Sequence, residues 1–182
     1  MPYEALSQDR LRQALRRLGE LARAEGVELE LSLYGGAVFT LVYGSRESTK
    51  DVDGIIRPSE IGRKLARQVA REQTLPEDWL NRDVAQFLAE HEERRPYPKD
   101  DLGSGLVVTI PTAAYLLALK LRACRPPLPG YPGDEADILF LLGKLQPAAR
   151  EDIDILFARF FPHDVLSPRA EDIIDAWLAR RD

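Results

Sequence analysis

The chain has 182 residues, 45% of them hydrophobic and 30% charged, with a formal net charge of -5. That length suits one domain, or one domain with a helical appendage, and buries a core without help from a disulfide or structural metal. The single cysteine, Cys124, excludes an intramolecular disulfide and a cysteine-based zinc knuckle, and the negative balance disfavours broad, non-specific binding to nucleic acid.

The opening Met-Pro-Tyr-Glu has no basic stretch leading into an apolar run, so no signal peptide is read there. No segment approaches the roughly 18 to 20 apolar residues of a membrane span, and the cytoplasm is the expected compartment. Ser7 can N-cap a helix running to about Ala24, with Gly26 as its left-handed stop. Leu11, Leu15, Leu18 and Leu21 give that helix one apolar face, while Arg10, Arg12, Arg16 and Arg17, interspersed with Asp9 and Glu20, read as a solvated face. From Val27 to Tyr34 the period changes to two, which predicts a strand with one buried side. Gly35-Gly36 ends that strand, and Ala37 to Tyr43 reads as a short apolar helix. Gly44 to Lys50 is polar turn material, Asp51 to Arg57 a second strand stopped by Pro58, and Ser59 caps a helix from Glu60 to about Glu72.

Pro76 opens another helical region carrying Trp79, Val84, Phe87 and Leu88, with Trp79 and Asn81 read as packing and capping residues. His91 to Ser104 is charged and proline-containing, an exposed loop with a small basic cluster at Arg94 and Arg95. The other histidine, His163, is far from His91, so no two-histidine metal motif at helical spacing exists. Leu106 to Ile110 is a third strand, and Pro111-Thr112 leads into a helix ending near Arg125, with Cys124 as a buried thiol. Pro126 to Gly133 holds four prolines and two glycines, which forces a loop. Helices then run from Asp134 to about Lys144, Glu151 to Phe161 and Ala170 to Arg180. The order predicts an α+β chain: a small mixed β-sheet with flanking helices over residues 1–110, then a helical C-terminal subdomain over 111–182, with the boundary near Pro111.

The most informative stretch is LYGGAVFTLVYGSRESTKDVD, from Leu33 to Asp53. A strand feeding two glycines and a helix presents backbone N–H groups that attract phosphate oxygens, and glycine permits close approach. Asp51 and Asp53 stand two apart on a strand, so their carboxylates share a sheet face and repel unless a divalent cation neutralises them. Magnesium suits such an oxygen-only pair. The bland alternative is a solvated strand face; against it, Ile55 has the parity of the two acids.

Gly35-Gly36, a short helix, then Asp51-Val52-Asp53 resembles the signature of the nucleotidyltransferase superfamily related to DNA polymerase β. The flanks, Tyr43-Gly44, Arg46 and Thr49-Lys50, are especially similar to those of AbiEii and MenT-type toxins, bacterial enzymes of toxin–antitoxin and phage-defence systems. Further on, Trp79-Leu80-Asn81, then YLLALKLR from Tyr115 to Arg122 and DEADIL from Asp134 to Leu139, resemble later segments of this group.

That resemblance implies a nucleotidyltransferase fold, and transfer of a nucleoside monophosphate from a nucleoside triphosphate to an acceptor hydroxyl, at the end of a tRNA or on a protein. Gly35 and Gly36, with Ser45 or Arg46, would contact triphosphate; Asp51 and Asp53 would bind magnesium or manganese. Lys120 would meet phosphate charge, and Asp137 would position Lys120 or the acceptor. A cognate antitoxin is the implied protein partner, and no membrane. For Lys120 a snorkelling stem, and for Asp137 a dipole-favoured first-turn acid, are the residue-level alternatives. Many members carry a third carboxylate on the next strand; LVVTI here has none, and Asp100 and Asp101 precede it in a loop. A nucleotidyltransferase fold that binds nucleotide without turnover is therefore the second reading.

Overall fold

The computed structural model describes residues 5–180; the amino-terminal stretch read above lies outside them. The chain is α+β with a mixed sheet, and it divides into two units. One comprises the residues up to Gln86 with Arg95–Ile110; the other comprises Phe87–Arg94 and the residues from Pro111 on.

In the first unit, β1 (Leu6–Ser7) leads into α1 (Gln8–Ala24), followed by β2 (Leu29–Leu33) and α2 (Gly35–Val38). A π-helical turn, Phe39–Tyr43, extends α2; then come β3 (Ser48–Thr49), β4 (Val52–Arg57), α3 (Ser59–Gln73), β5 (Leu80–Asn81), β6 (Arg94–Pro96) and β7 (Leu106–Pro111). Five strands lie in the order β5-β4-β2-β7-β6, with β2 antiparallel to β4 but parallel to β7, and β4 parallel to β5. β1 and β3 form a separate antiparallel pair.

The alternation in the strands decides which face is covered. Leu29, Leu31, Leu33, Val52, Ile56, Leu106, Val108 and Ile110 point one way and are buried. Burying each such side chain contributes about 1.5–3 kcal/mol. Two glycines let helices settle on that face: a Cβ on Gly62 of α3 would lie 2.7 Å from the Ile56 side chain, and one on Gly19 of α1 would lie 3.1 Å from Leu106 Cβ. The other parity, Ser32, Asp53, Ile55, Arg57, Val107 and Thr109, is partly or fully exposed. The polar parity is where chemistry can sit.

Several elements differ from the sequence reading. Ser59 is the first residue of α3, not its cap; Pro58 takes the N-cap position and supplies no side-chain bond. The region after Pro76 is not a helix: Trp79 is fully buried and donates Nε1–H to Ala66 O at 2.9 Å, and the chain continues as β5 and a 3₁₀ turn, Asp83–Phe87. The packing role read for Trp79 and the capping role read for Asn81 both hold, since Asn81 Oδ1 accepts the Asp83 N–H at 3.0 Å. The stretch from His91 to Ser104 is not wholly loop, because Arg94–Pro96 forms an edge strand.

In the second unit, α4 (Ala113–Ala123), α5 (Glu135–Leu145), α6 (Arg150–Phe160) and α7 (Pro168–Leu178) pack together. Thr112 caps α4 by accepting from Tyr115 N–H, and Tyr115 stacks on Phe160 with ring centroids 4.9 Å apart. The short segment before β6 belongs to this unit: Ala89 N–H donates to Tyr115 Oη at 3.0 Å, and Arg122 donates to Phe87 O at 2.8 Å. Burial raises the Cys124 thiol above its ordinary pKa. Among the described residues no helix is long and apolar enough to cross a membrane.

Candidate functional site

The glycine pair does not precede the short helix; it forms its first turn, with Tyr34 as N-cap and no side-chain cap bond. Gly35 has φ +56, a left-handed value natural to glycine. A Cβ there would lie 2.5 Å from Asp53 Oδ2. At Gly36 an added Cβ would collide with Thr49 Oγ1 and come within 3.5 Å of an Arg46 guanidinium nitrogen. Both glycines therefore line a cradle that any side chain would fill, with a carboxylate on one side and a cation on the other. The leading N–H groups of a helix have no intrahelical acceptor, so this is a place where backbone donors are on offer.

Asp51 precedes β4 rather than belonging to it, and its side chain is exposed. It nevertheless shares the Asp53 side of the sheet. Asn81 pairs in register with Asp53 across β4 and β5, and Asn81 Nδ2 donates to Asp51 Oδ2 at 3.3 Å. Thr49, nearly buried, donates its hydroxyl to Asp51 O at 3.1 Å and so fixes the turn that delivers the acid. Arg46 stacks over Phe39, its guanidinium carbon 5.6 Å from the ring centroid. Ser45 is exposed just past the π-helical turn, and its N–H donates to Phe39 O.

Thr49 and Asn81 carry signals that the sequence reading used only as flank and cap. On the same sheet face as Asp53, but level with Ile55, Thr109 of β7 pairs in register with Ser32; their hydroxyls lie 3.4 Å apart. Neither Asp100 nor Asp101 takes that place, and Asp101 instead pairs with Arg12 at 2.9 Å. Among the described residues, no group of three or more His, Cys, Asp or Glu side chains converges.

Lys120 and Asp137 belong to the second unit. Lys120 is 5% exposed, so its stem does not snorkel to water. Its ammonium lies 2.8 Å from Asp137 Oδ2 and 2.6 Å from Asp134 Oδ1, joining the end of α4 to the start of α5. Asp134 is the residue whose role was missed in sequence, where it read as a helix start and the first residue of DEADIL with no role of its own. Burial alone would raise its pKa, but Lys120, Arg125 and the Tyr131 hydroxyl reverse that and hold it well below the usual carboxylate range. Two buried carboxylates share one lysine, and Arg125, 3.0 Å from Asp134 Oδ2, brings the second positive charge that balances this lock.

Comparison with family models, curated proteins and solved structures gave no significant match for this chain.

Proposed function

We propose that the chain is a metal-dependent nucleotidyltransferase of the DNA polymerase β-like type, moving a nucleoside monophosphate from a triphosphate to an acceptor hydroxyl, in a toxin–antitoxin or defence role. One observation carries it: the first glycine of a helix start abuts the second acid of an Asp-x-Asp pair so closely that a Cβ would sit 2.5 Å from the carboxylate oxygen. The left-handed φ of +56 disfavours alanine by itself, and the contact with Asp53 comes on top of that.

The donor set fits magnesium or manganese. Asp51 and Asp53 supply hard oxygens, and such cations keep water and substrate phosphate in the rest of their shell, so a full protein cage is not required. A cation held there neutralises triphosphate charge and the two acids together. The chain's own groups do the rest. The Gly35 and Gly36 backbone and the Arg46 guanidinium hold phosphate oxygens; Asn81 and Thr49 hold Asp51 in place. Positioning and charge neutralisation suffice for phosphoryl-type transfer, which needs no covalent nucleophile from the protein. Asp137 holds Lys120, as the resemblance implies, and Asp134 shares that task. The acceptor suggested by the resemblance is the end of a tRNA, with a protein hydroxyl as the other candidate and a cognate antitoxin as partner.

The test is incubation with magnesium or manganese, each labelled nucleoside triphosphate, and total RNA or protein. Label moves to an acceptor with the native chain and not with Asp53→Ala or Asp51→Ala. Transfer that survives Asp53→Ala overturns the assignment. A second reading, a nucleotide-binding module without turnover, is favoured by β7, which offers Val107 and Thr109 and no acid on the sheet face of Asp53. Cation-dependent nucleotide binding without transfer selects it.

A further inference from the structure

β4 is longer than the strand beside it. β5 covers only Val52 and Asp53, while β4 continues to Arg57. The direction of each backbone group follows from two hydrogen bonds. Asp53 O accepts from Tyr34 N, so Asp53, Ile55 and Arg57 turn toward β2; Val52 N donates to Trp79 O, so Val52, Gly54 and Ile56 turn to the opposite edge. Beyond Asn81, where β5 ends, the Ile56 amide and carbonyl, in a residue that is itself 7% exposed, face an edge with no strand beside it. A cavity of about 610 Å³ runs along it, lined by Gly54, Ile55, Ile56 and Ala66 together with the arginines Arg57, Arg63, Arg67 and Arg82.

Those four arginines are exposed, and among the described residues none has a carboxylate at ion-pair distance. Glu77, Asp78 and Asp83 also line the cavity, but they flank β5, whereas Arg57, Arg63 and Arg67 stand at the end of β4 and on α3. Arg63 and Arg67 are one helical turn apart, a rise of about 6 Å. Alternate side chains of an extended strand repeat at about 6.6 Å. A strand laid on this edge would thus bring every second side chain level with one arginine.

We propose that the open edge of β4 receives an extended acidic segment of a partner polypeptide by strand addition. Its backbone continues the β5 position along Gly54 and Ile56, and its acidic side chains, at alternate positions, meet Arg63 and Arg67. Main-chain bonds supply affinity and the arginines supply selection, the division of labour general to β-augmentation. An uncovered edge is otherwise an aggregation hazard, and a groove of unpaired arginines discourages pairing with a second copy of itself. Strand addition here does not depend on nucleotide transfer.

The probe is a pool of short fluorescent peptides alternating glutamate with varied apolar residues, with two control pools: lysine in place of glutamate, and N-methylated backbone at alternate positions. Fluorescence anisotropy should show binding by members of the glutamate pool and none by either control. Arg63→Glu with Arg67→Glu should weaken binding at least about tenfold, and amide exchange at Ile56 should slow when peptide is bound. No binding by any glutamate peptide overturns the inference. So does binding that survives N-methylation or leaves Ile56 exchange unchanged, because charge alone would then explain it. Equal displacement by a single-stranded oligonucleotide, with the same dependence on Arg63 and Arg67, would instead assign the groove to phosphate backbone.

Discussion

Asn81 reaches across the β4–β5 pairing and donates its side-chain amide to the carboxylate of Asp51, 3.3 Å away. Its other end accepts the Asp83 N–H, so Asn81→Ala removes both an acid support and a turn, at about 1 kcal/mol by urea unfolding. Asn81→Asp separates the two roles. It keeps an acceptor for Asp83 but places a third carboxylate beside Asp51, so the cation-free protein should lose stability through like-charge repulsion. Manganese should then raise its Tm by more than it raises that of the native chain. An equal absence of any manganese effect in both would count against a cation at this pair.

The Gly35 cradle can be distinguished from ordinary left-handed strain by comparison with Gly26. Both have positive φ, +56 and +70, but a Cβ at Gly26 meets nothing within 4 Å. Gly26→Ala should therefore cost only the backbone term, about 1 kcal/mol. Gly35→Ala should cost more and should also abolish stabilisation by magnesium with nucleotide, because Asp53 must move aside. Thermal denaturation with and without nucleotide checks both halves. Matching losses at the two sites would remove the case for a cradle.

The Lys120 lock predicts an order of effects. Lys120→Met removes the cation shared by two buried carboxylates, Asp137 and Asp134, of which Asp134 keeps Arg125 and Tyr131, a loss of about 3–5 kcal/mol. Asp137→Asn is milder, since Lys120 keeps its 2.6 Å partner Asp134. Chemical denaturation of the two variants ranks them; the reverse order would mean that Asp134 and Lys120 are not the main pair.

Asp134 also sets a pH dependence. Its pKa is depressed in the folded chain, so its stabilisation is fully present above the ordinary value of 3.8 and is lost as pH falls below it. Unfolding free energy should therefore decline with acid from about pH 4 downward, and Asp134→Asn should flatten that slope while lowering stability at neutral pH. A native slope unchanged by the substitution would show that other carboxylates govern the acid limb.

The long periodic elements were legible because their patterns repeat: four leucines fix the face of α1, and the alternation from Val27 fixes β2 within two residues of its ends. β5 and β6, at two and three residues, are too short to show a period and owe their place to pairing with distant strands. The acids and glycines of the candidate site could be found because spacing along one strand and one turn decides their side. Asp134 could not, since its partners Lys120, Arg125 and Tyr131 come together only when α4 and α5 fold back on each other. The support that Asn81 gives Asp51, beyond its capping role, escaped for the same reason: Asp51 is thirty residues away and meets it only across the parallel pairing.

Thr74 offers a stability gain that touches no functional group. It ends α3 in a left-handed conformation, φ +53 and ψ +48, with its N–H bonded to Ala70 O, and its side chain is exposed. A β-branched residue is poorly suited to that conformation, because its Cβ crowds the backbone where glycine has none. Thr74→Gly should relieve about 1 kcal/mol of strain, offset in part by the greater entropy of glycine in the unfolded chain. Thr74→Asn keeps a side chain that tolerates the left-handed region and should fall between the two. Urea unfolding midpoints should rank glycine above asparagine and asparagine above threonine. A threonine chain at least as stable as the glycine variant would mean that contacts of the Thr74 side chain outweigh the backbone preference.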